Sequence, residues 1–281
     1  MEKWLVISNC QTFGLANSLS LMQPNKSVSG IDTWAYEQDK DRLDPTLSEY
    51  ERIFANEHTA QLPGIAAHAE RLATIPSVQF FGYHPDLCYV TAGGRIIKSP
   101  LDDYHSLICF AAFKSGLPEE KAIALYTDRT YRAADYYRFW HEEKQRFLEA
   151  MTAAGYDLTQ AFRRWSVREC FMYSNNHPKI VCLYDLAAIA SEKAGHKPAL
   201  TGFTPHDNLA NAVAFPVYPE LAETFGVPGS YNFKLGGQYR VIDLEQFVRS
   251  SYDEYRKHDT AELSTGGWFE TRFRSLMQML Q

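Results

Sequence analysis

The chain has 281 residues, of which 45% are hydrophobic and 22% are charged, and its formal net charge is −6. A chain of this length can bury a sizeable core, either as one large domain or as two small ones. The negative charge balance excludes the basic footprint of a nucleic-acid-binding protein. No apolar run reaches the roughly 18 residues that a transmembrane helix needs.

The cysteine pattern and the first residues of the chain predict a reducing, cytoplasmic location. Five cysteines, an odd number without C-x-x-C spacing, predict neither a disulfide framework nor a cysteine-based metal site. The apolar run at residues 4–7 is too short for the core of a secretory signal peptide. We therefore expect a cytoplasmic protein with reduced thiols and no bound metal.

Strand signals concentrate in the first hundred residues. Residues 3–8 predict a buried strand and residues 12–19 predict the helix that follows it. Further strands are predicted at 28–31, 78–81 and 88–91, the last one closed by Gly93 and Gly94. The segment 52–55 fits a strand or part of a helix.

Helical patterns dominate after Pro100. Helices are predicted at 104–115, from Pro118 onward, and at 131–154, 179–194 and 244–257, most of them ending at a glycine. This order predicts an α/β fold in a single domain over 1–281, with a parallel-sheet core (α/β/α) and large helical additions. Its core strands are expected mostly in 1–100, a helical portion in 101–200 and a mixed segment in 201–281.

Cys10 differs from the other cysteines because it lies between the first predicted strand and the first predicted helix. Ligands bind at the carboxyl ends of strands in open α/β sheets, and helix N-termini offer free N–H groups. Partial positive charge there stabilises a thiolate, so the pattern predicts a reactive Cys10 with a lowered pKa. The flanking Asn9 and Gln11 are predicted to donate to a developing oxyanion or to form the turn.

A second motif runs from Gly82 to Asp86 and follows the strand predicted at 78–81. It is expected at the same sheet edge as Cys10. Pro85 keeps the preceding His84 out of the α region and so fixes the direction of its backbone. Asp86 is predicted to cap the next segment or to orient a histidine, and the alternative is an ordinary polar surface turn.

A third motif, Asn176-His177-Pro178-Lys179, stands directly before a predicted helix. The unperturbed pKa of histidine lies near working pH, so His177 is predicted to be a general base, with His84 as the alternative. Asn176 is predicted to orient the imidazole or to donate to an oxyanion. A helix-capping turn would explain the asparagines but not the histidine.

Together these motifs resemble the WcbI-type family of capsular-polysaccharide biosynthesis proteins, whose fold is distantly similar to that of SGNH hydrolases. The resemblance lies in Ser8 to Gln11, Gly82 to Leu87, Tyr104-His105-Ser106 and Asn176-His177-Pro178, in this order. It covers most of residues 1–230. The fold it implies is an SGNH-hydrolase-like parallel-sheet core.

The resemblance also implies an acetyltransferase that binds coenzyme A and transfers an acetyl group to a sugar hydroxyl. The partners expected are acyl-CoA and a glycan or sugar-nucleotide acceptor in cell-surface polysaccharide biosynthesis. Cys10 stands where SGNH hydrolases have their nucleophilic serine. The catalytic residues expected are Cys10, His177, His84, Asn9, Gln11, Asn176 and Asp86, and the coenzyme A contacts expected are Cys10, Gln11, His84, His105, Ser106 and Lys179.

Several alternatives stay open at this point. Cys10 either takes the acyl group covalently, which we favour from the sequence, or a histidine activates the sugar hydroxyl for direct attack on the thioester. Water as the acceptor would make the protein an SGNH-like esterase or thioesterase. A non-catalytic glycan- or coenzyme A-binding protein would use the aromatic residues of 131–140. The phosphates need a local basic patch, for which the candidates are Arg163, Arg164, Arg168, Lys179 and Lys98.

Overall fold

A computed structural model of the chain describes residues 1–281. The strands are β1 (Glu2–Ser8), β2 (Lys26–Asp32), β3 (Arg52–Ala55), β4 (Leu72–Thr74), β5 (Leu87–Cys88), β6 (Val90–Ala92), β7 (Arg95–Ile96), β8 (His105–Ser106), β9 (Phe233–Lys234), β10 (Val241–Ile242) and β11 (Leu263–Thr265).

The helices are α1 (Thr12–Met22), α2 (Thr33–Gln38), α3 (Lys40–Leu43), α4 (Pro63–Ala66), α5 (Leu107–Lys114), α6 (Glu119–Ile123), α7 (Asp128–Ala133), α8 (Tyr136–Ala153), α9 (Thr159–Trp165), α10 (Ile180–Lys193), α11 (Pro219–Phe225), α12 (Leu244–Tyr255) and α13 (Glu270–Met279). None of them has both the length and the apolar character needed to cross a bilayer.

The chain forms two compact units, and each is built from three segments. The first unit comprises Met1–Gln79, Phe147–Trp165 and Asn176–Ala210, and the second comprises Phe80–Arg146, Ser166–Asn175 and Asn211–Gln281. Whether the chain folds as a single domain stays a prediction.

The first unit is built on a parallel sheet of four strands in the order β2-β1-β3-β4. The central strand β1 is buried continuously from Trp4 to Ser8, as is typical of a parallel sheet covered on both faces. One side of the core is a cluster that includes Leu5, Ile7 and Ile53. The predicted α/β fold with a parallel sheet and a large helical content is confirmed.

Helix α1 lies close to the sheet and to α10. A Cβ atom on Gly30 of β2 would meet Thr12 Cγ2 at 3.0 Å and Ala16 Cβ at 3.2 Å. A Cβ atom on Gly14 would overlap with Leu183 Cδ1 of α10. The two glycines therefore permit a close approach that fixes the N-terminus of α1 at the carboxyl edge of the sheet.

The second unit contains only short antiparallel ladders, with strand orders β11-β6-β7, β10-β9 and β5-β8. Aromatic rings fill its interior, and Phe233 stacks on Phe247 with ring centroids 4.1 Å apart. Tyr131 and Tyr136 are fully buried and stack on each other. This burial makes them part of the core and excludes them as an exposed sugar-stacking stripe.

Most predicted elements exist with shifted bounds. The ambiguous segment Arg52–Ala55 is the strand β3, and the strand predicted at 28–31 is the longer β2. Helix α5 begins three residues later than predicted because Ser106 caps it and accepts a hydrogen bond from the Cys109 N–H at 3.1 Å. Strand β4 and helix α13 were not predicted.

The strand predicted at 78–81 is wrong. No strand pairs with this segment: its backbone bonds mostly to side chains, and the Phe80 N–H donates to the Asn175 carbonyl at 2.7 Å. The Val78 N–H and carbonyl both bond to the Gln11 side chain, and the Phe81 N–H donates to Glu143 Oε1 at 3.3 Å. The apolar run is buried as expected, yet no ladder forms.

The single helix predicted at 131–154 is also wrong. It is broken into α7 and α8 at Asp135, whose φ of 59° lies in the left-handed region. The Asp135 carboxylate pairs with Arg138 in the first turn of α8 at 2.5 Å. Asp tolerates the left-handed conformation better than most residues, so the aromatic periodicity continues through a break that it does not reveal.

Candidate active site

Cys10 lies in the turn between β1 and α1, at the carboxyl end of the central strand. Thr12 closes this turn: its hydroxyl accepts from the Ser8 N–H at 3.0 Å and donates to the Asn9 carbonyl at 2.8 Å. The Cys10 side chain is exposed. Its sulfur lies 4.0 Å from the Asn9 side-chain oxygen and 4.0 Å from the Asn176 carbonyl oxygen. The turn therefore presents a reachable thiol next to two oxygen atoms.

Gln11 is a positioning residue in this structure. It is fully buried, its amide nitrogen donates to the carbonyls of Val78 at 2.8 Å and Asn176 at 3.0 Å, and its amide oxygen accepts from the Val78 N–H at 3.0 Å. Both amide hydrogens are thus engaged. The expectation that Gln11 donates to an oxyanion or contacts coenzyme A is corrected, because it ties two backbone segments together instead.

The Asn9 side chain, unlike that of Gln11, does not use all of its hydrogen-bond donors. Its side-chain oxygen accepts from the Gln11 N–H at 3.0 Å, and its nitrogen donates one hydrogen bond to Ser77 Oγ at 3.0 Å. The side chain is partly exposed. Since an amide nitrogen carries two hydrogens, the Asn9 side chain, whose oxygen lies near the Cys10 sulfur, retains one donor.

The pKa of Cys10 is raised, whereas the sequence predicted a lowered value. Burial of the sulfur by surrounding protein raises the pKa of the Cys10 thiol to about 11, and the negative charge of Asp32 adds to the rise. The residue is nevertheless accessible at the surface, so it combines access with a largely protonated state. The predicted lowering of the pKa is therefore wrong: desolvation and Asp32 outweigh the helix N-terminus.

The Asn176-His177-Pro178-Lys179 segment leads into α10, as predicted. Lys179 is the residue before the helix, and the first N–H of the helix, on Ile180, donates to the Asp207 carboxylate at 2.9 Å. His177 is partly exposed. The Asn176 main-chain carbonyl contacts both Gln11 and Cys10, which brings this segment to the β1–α1 turn.

His84 lies in the second unit and is 1% exposed. Neither ring nitrogen makes a hydrogen bond of normal geometry, and the Phe215 ring lies 5.9 Å away. Burial lowers the pKa of His84 to about 3, and the nearby Phe215 backbone offsets this only in part. The expectation that His84 contacts coenzyme A is corrected, because a neutral ring enclosed by protein offers no surface to a ligand.

Asp86 is a buried structural carboxyl. It accepts hydrogen bonds from the hydroxyls of Tyr136 at 2.7 Å and Tyr218 at 2.6 Å, and from the Ile108 N–H at 2.9 Å. Burial raises the pKa of Asp86, and its hydrogen-bond partners counter the rise. The sequence predicted that Asp86 either caps the next segment or orients a histidine. The structure shows the capping role, because Asp86 accepts a hydrogen bond from an N–H at the start of α5.

His105 and Ser106 are fully buried within the second unit. The His105 ring bonds to the Tyr255 hydroxyl at 2.9 Å and to the Ile97 carbonyl at 3.0 Å, and burial lowers its pKa to about 4. The Ser106 hydroxyl caps α5 and bonds to the Tyr126 hydroxyl at 2.6 Å. Their expected contacts with coenzyme A are corrected, since all these polar atoms hold the core of the unit.

The basic residues suggested for phosphates differ in their environment. Lys98 pairs with Asp102 at 2.6 Å and with Asp103 at 2.8 Å, which leaves it locally neutralised. Arg164 pairs with Asp185 at 2.9 Å. Arg163 and Arg168 are exposed. Lys179 lies two residues after His177 and is partly exposed.

Sequence reasoning missed two polar residues at the same sheet edge. Asp32 ends β2, and Asn56 follows β3 and donates to the Ser8 hydroxyl at 3.0 Å. Asp32 is the last residue of its strand and Asn56 directly follows its strand, and a polar residue at a strand end is the signal that would have identified both. The arrangement in the first unit thus joins a thiol, a free amide hydrogen and a histidine-bearing segment at the carboxyl ends of parallel strands, which suits acyl-transfer chemistry.

Comparison with known proteins gives the family. The model of the family described as polysaccharide biosynthesis enzyme WcbI matches residues 3–199. No curated protein matches the chain. One similar solved structure is described as native WcbI, a novel polysaccharide biosynthesis enzyme, without a disulfide bond between coenzyme A and a cysteine.

That structure shares 13% identity with the chain, covers 99% of this chain and 98% of its own, and superimposes with a TM-score of 0.75. The superposition shows a common fold, and at this identity it shows nothing further. The family model, by contrast, matches well over half of the sequence. The chain therefore belongs to the WcbI family of polysaccharide biosynthesis enzymes.

Proposed function

We propose that this enzyme is an acetyl-CoA-dependent O-acetyltransferase acting on a glycan or a sugar nucleotide, with the sulfur end of coenzyme A beside Cys10. The observation that carries the proposal is the exposed Cys10 thiol at the carboxyl end of β1. The similar structure supports it, since that protein is described as lacking a disulfide bond between coenzyme A and one of its cysteines, which names these two sulfurs as the pair that would form such a bond. A disulfide needs the coenzyme's sulfur to lie next to a cysteine.

The raised pKa of Cys10 favours direct transfer over a covalent acyl-cysteine. A thiol with a pKa of about 11 is almost wholly protonated at neutral pH, and the thiolate is the nucleophile. In the direct route His177 takes the proton from the sugar hydroxyl. The hydroxyl oxygen then bonds to the acetyl carbon, the carbon–sulfur bond breaks, and His177 returns the proton to the departing sulfur.

The other residues of the first unit then have distinct roles. Asn9 donates its remaining amide hydrogen to the carbonyl oxygen of the acetyl group as charge develops there. Gln11 holds the Asn176 carbonyl and with it the His177 segment. Asn176 orients this segment, and Lys179 attracts a phosphate of the donor. His84 and Asp86 support the second unit and do not touch the substrates.

The test is an acetyl-transfer assay with acetyl-CoA and a panel of sugar nucleotides and oligosaccharides. Release of coenzyme A is followed with a thiol-reactive dye, and the acetylated sugar is identified by mass spectrometry. We expect acceptor-dependent release, and a loss of kcat of roughly 10²–10⁴-fold in His177→Ala, the size expected for a general base. His206→Ala, which changes an exposed histidine of the same unit, is the matched control.

The alternatives give different results in the same assay. Equal release of coenzyme A with and without any acceptor, together with free acetate, identifies a thioesterase. An unchanged kcat in His177→Ala contradicts the assignment of the base. An acetyl adduct on Cys10 that forms and decays at the rate of turnover contradicts direct transfer and restores the covalent route.

A further inference from the structure

Arg272 on α13 is a buried cation without a hydrogen-bond or ion-pair partner, although the negative charge of Glu143 acts on it from nearby. Its side chain is 9% exposed, and its Nε and Nη2 atoms are closed off from water without a hydrogen bond. The guanidinium stacks on the Phe139 ring, with its carbon 3.9 Å from the ring centroid. Buried charges are normally paired, because leaving water is costly for an ion. Burial accordingly lowers the pKa of Arg272.

A cavity of about 370 Å³ lies on the surface of the second unit with Arg272 in its wall. This volume is within the range of small-molecule sites. The other cation of the wall, Arg138, is already paired with Asp135 at 2.5 Å and with Glu142 at 3.2 Å. Arg272 is therefore the cation of this wall that can accept a negative partner.

The remaining wall groups indicate the rest of the ligand. The Trp268 side chain is 49% exposed although its ring contacts Phe81, with centroids 5.8 Å apart, and the Arg146 guanidinium at 5.1 Å. Such a held, half-exposed aromatic face can pack against the apolar face of a pyranose ring. The hydroxyls of Thr271 and Ser275 and the carboxylate of Glu142 also line the cavity. They can exchange hydrogen bonds with sugar hydroxyls.

We propose that this cavity binds a carboxylated sugar of the hexuronate class, with its carboxylate on Arg272 and its ring against Trp268. The Nε and Nη2 atoms form one edge of the guanidinium, and that edge matches a carboxylate with two parallel hydrogen bonds. This edge is closed off from water in the structure, so the proposed binding requires the guanidinium to rotate toward the cavity, whose wall already includes Arg272. The site goes beyond the proposed transfer reaction, and it can bind sugar whether or not acetyl transfer occurs.

The choice of a carboxylate over a phosphate follows from the charges. Arg138 and Arg272 contribute two positive charges to the wall, whereas Asp135 and Glu142 contribute two negative ones. The wall therefore has no net charge. Arg138 is paired with both carboxylates, so Arg272 remains as a single unpaired cation, which suits a monoanion. A dianion would leave one charge unpaired next to two carboxylates.

The experiment titrates the intact chain with glucuronate and follows binding by calorimetry and by tryptophan fluorescence. Glucose and acetate serve as neutral and sugar-free comparisons, and a uronate tetrasaccharide is compared at equal uronate concentration. We expect saturable glucuronate binding, with glucose and acetate at least about 10-fold weaker, the factor typical of a lost charged hydrogen bond. Tighter binding of the tetrasaccharide identifies a glycan chain as the ligand and equal binding identifies a single sugar, and both results support the site.

Two variants locate the site. Arg272→Met should weaken glucuronate binding by about 10-fold or more while keeping the fold, because it replaces an unpaired buried charge by an apolar side chain. Arg274→Gln is the matched control, since Arg274 is exposed on the same helix and pairs with Glu270 at 3.0 Å. If Arg272→Met does not fold, Trp268→Ala, at a half-exposed position, must weaken both glucuronate and glucose.

Three results overturn the proposal. The first is the absence of saturable glucuronate binding to the unmodified chain. The second is acetate binding as tightly as glucuronate, which would leave a simple anion site. The third is an equal loss of affinity in Arg272→Met and Arg274→Gln, which would place the sugar elsewhere.

Discussion

Replacement of Gln11 by methionine tests how the candidate site is held together. Methionine matches glutamine in length and so removes the hydrogen bonds without opening a large cavity. The change leaves the buried N–H and carbonyl of Val78 without their partner, at about 1–3 kcal/mol each. The partly buried Asn176 carbonyl adds about 1 kcal/mol. We therefore expect a loss of about 3–7 kcal/mol in the free energy of unfolding.

The assay is urea unfolding followed by circular dichroism and tryptophan fluorescence. Asn17→Ala is the control, because Asn17 is exposed on α1 and an exposed substitution should stay within about 0.5 kcal/mol of the unmodified chain. If Gln11→Met lies within about 1 kcal/mol of the unmodified chain, the backbone groups find other partners and Gln11 does not position the site.

Three further outcomes follow from the environments of single residues. Asp32→Asn should lower the pKa of Cys10 and so speed its alkylation by iodoacetamide at pH 8, whereas an unchanged or slower rate contradicts the effect of Asp32. His84 is neutral in the fold and has a lowered pKa, so its stabilising contribution is present above pH ~6.5 and falls toward pH 3 by up to ~1.4 kcal/mol per pH unit. His84→Leu should flatten this dependence in urea unfolding, and parallel curves would oppose it. Ser106→Ala should cost about 1–2 kcal/mol in unfolding without changing the Kd of coenzyme A in calorimetry, and a weakened Kd would return Ser106 to the coenzyme site.

The sequence is informative where structure is local. The run from Lys3 to Ser8, the turn at Cys10 and the helix after it are short-range features, and all three appear in the structure. Helix ends were also predictable, since Gly116 and Gly195 both adopt positive φ values of 71° and 86° directly after helices.

Contacts between distant segments were not predictable in the same way. Nothing in the sequence near Val78 indicates that Gln11 replaces a neighbouring strand there. The motif around His84 reads as a polar turn, yet aromatic rings enclose it and lower the pKa of the imidazole. The pKa of Cys10 likewise depends on Asp32 from another strand. Tertiary packing determines these hydrogen bonds and pKa values, so a local sequence pattern does not predict them.

Coenzyme A disulfide can report whether the sulfur end of coenzyme A binds beside Cys10. The chain is incubated with this reagent near pH 8, and the modified cysteine is identified by peptide mapping. We expect a mixed disulfide on Cys10, reversed by a reducing agent and suppressed by a coenzyme A analogue that lacks the thiol. Oxidised glutathione, which lacks the nucleotide, should modify Cys10 far more slowly. Modification of the partly exposed Cys170 at the same rate as Cys10, or no protection by the analogue, would show that coenzyme A does not place its sulfur beside Cys10.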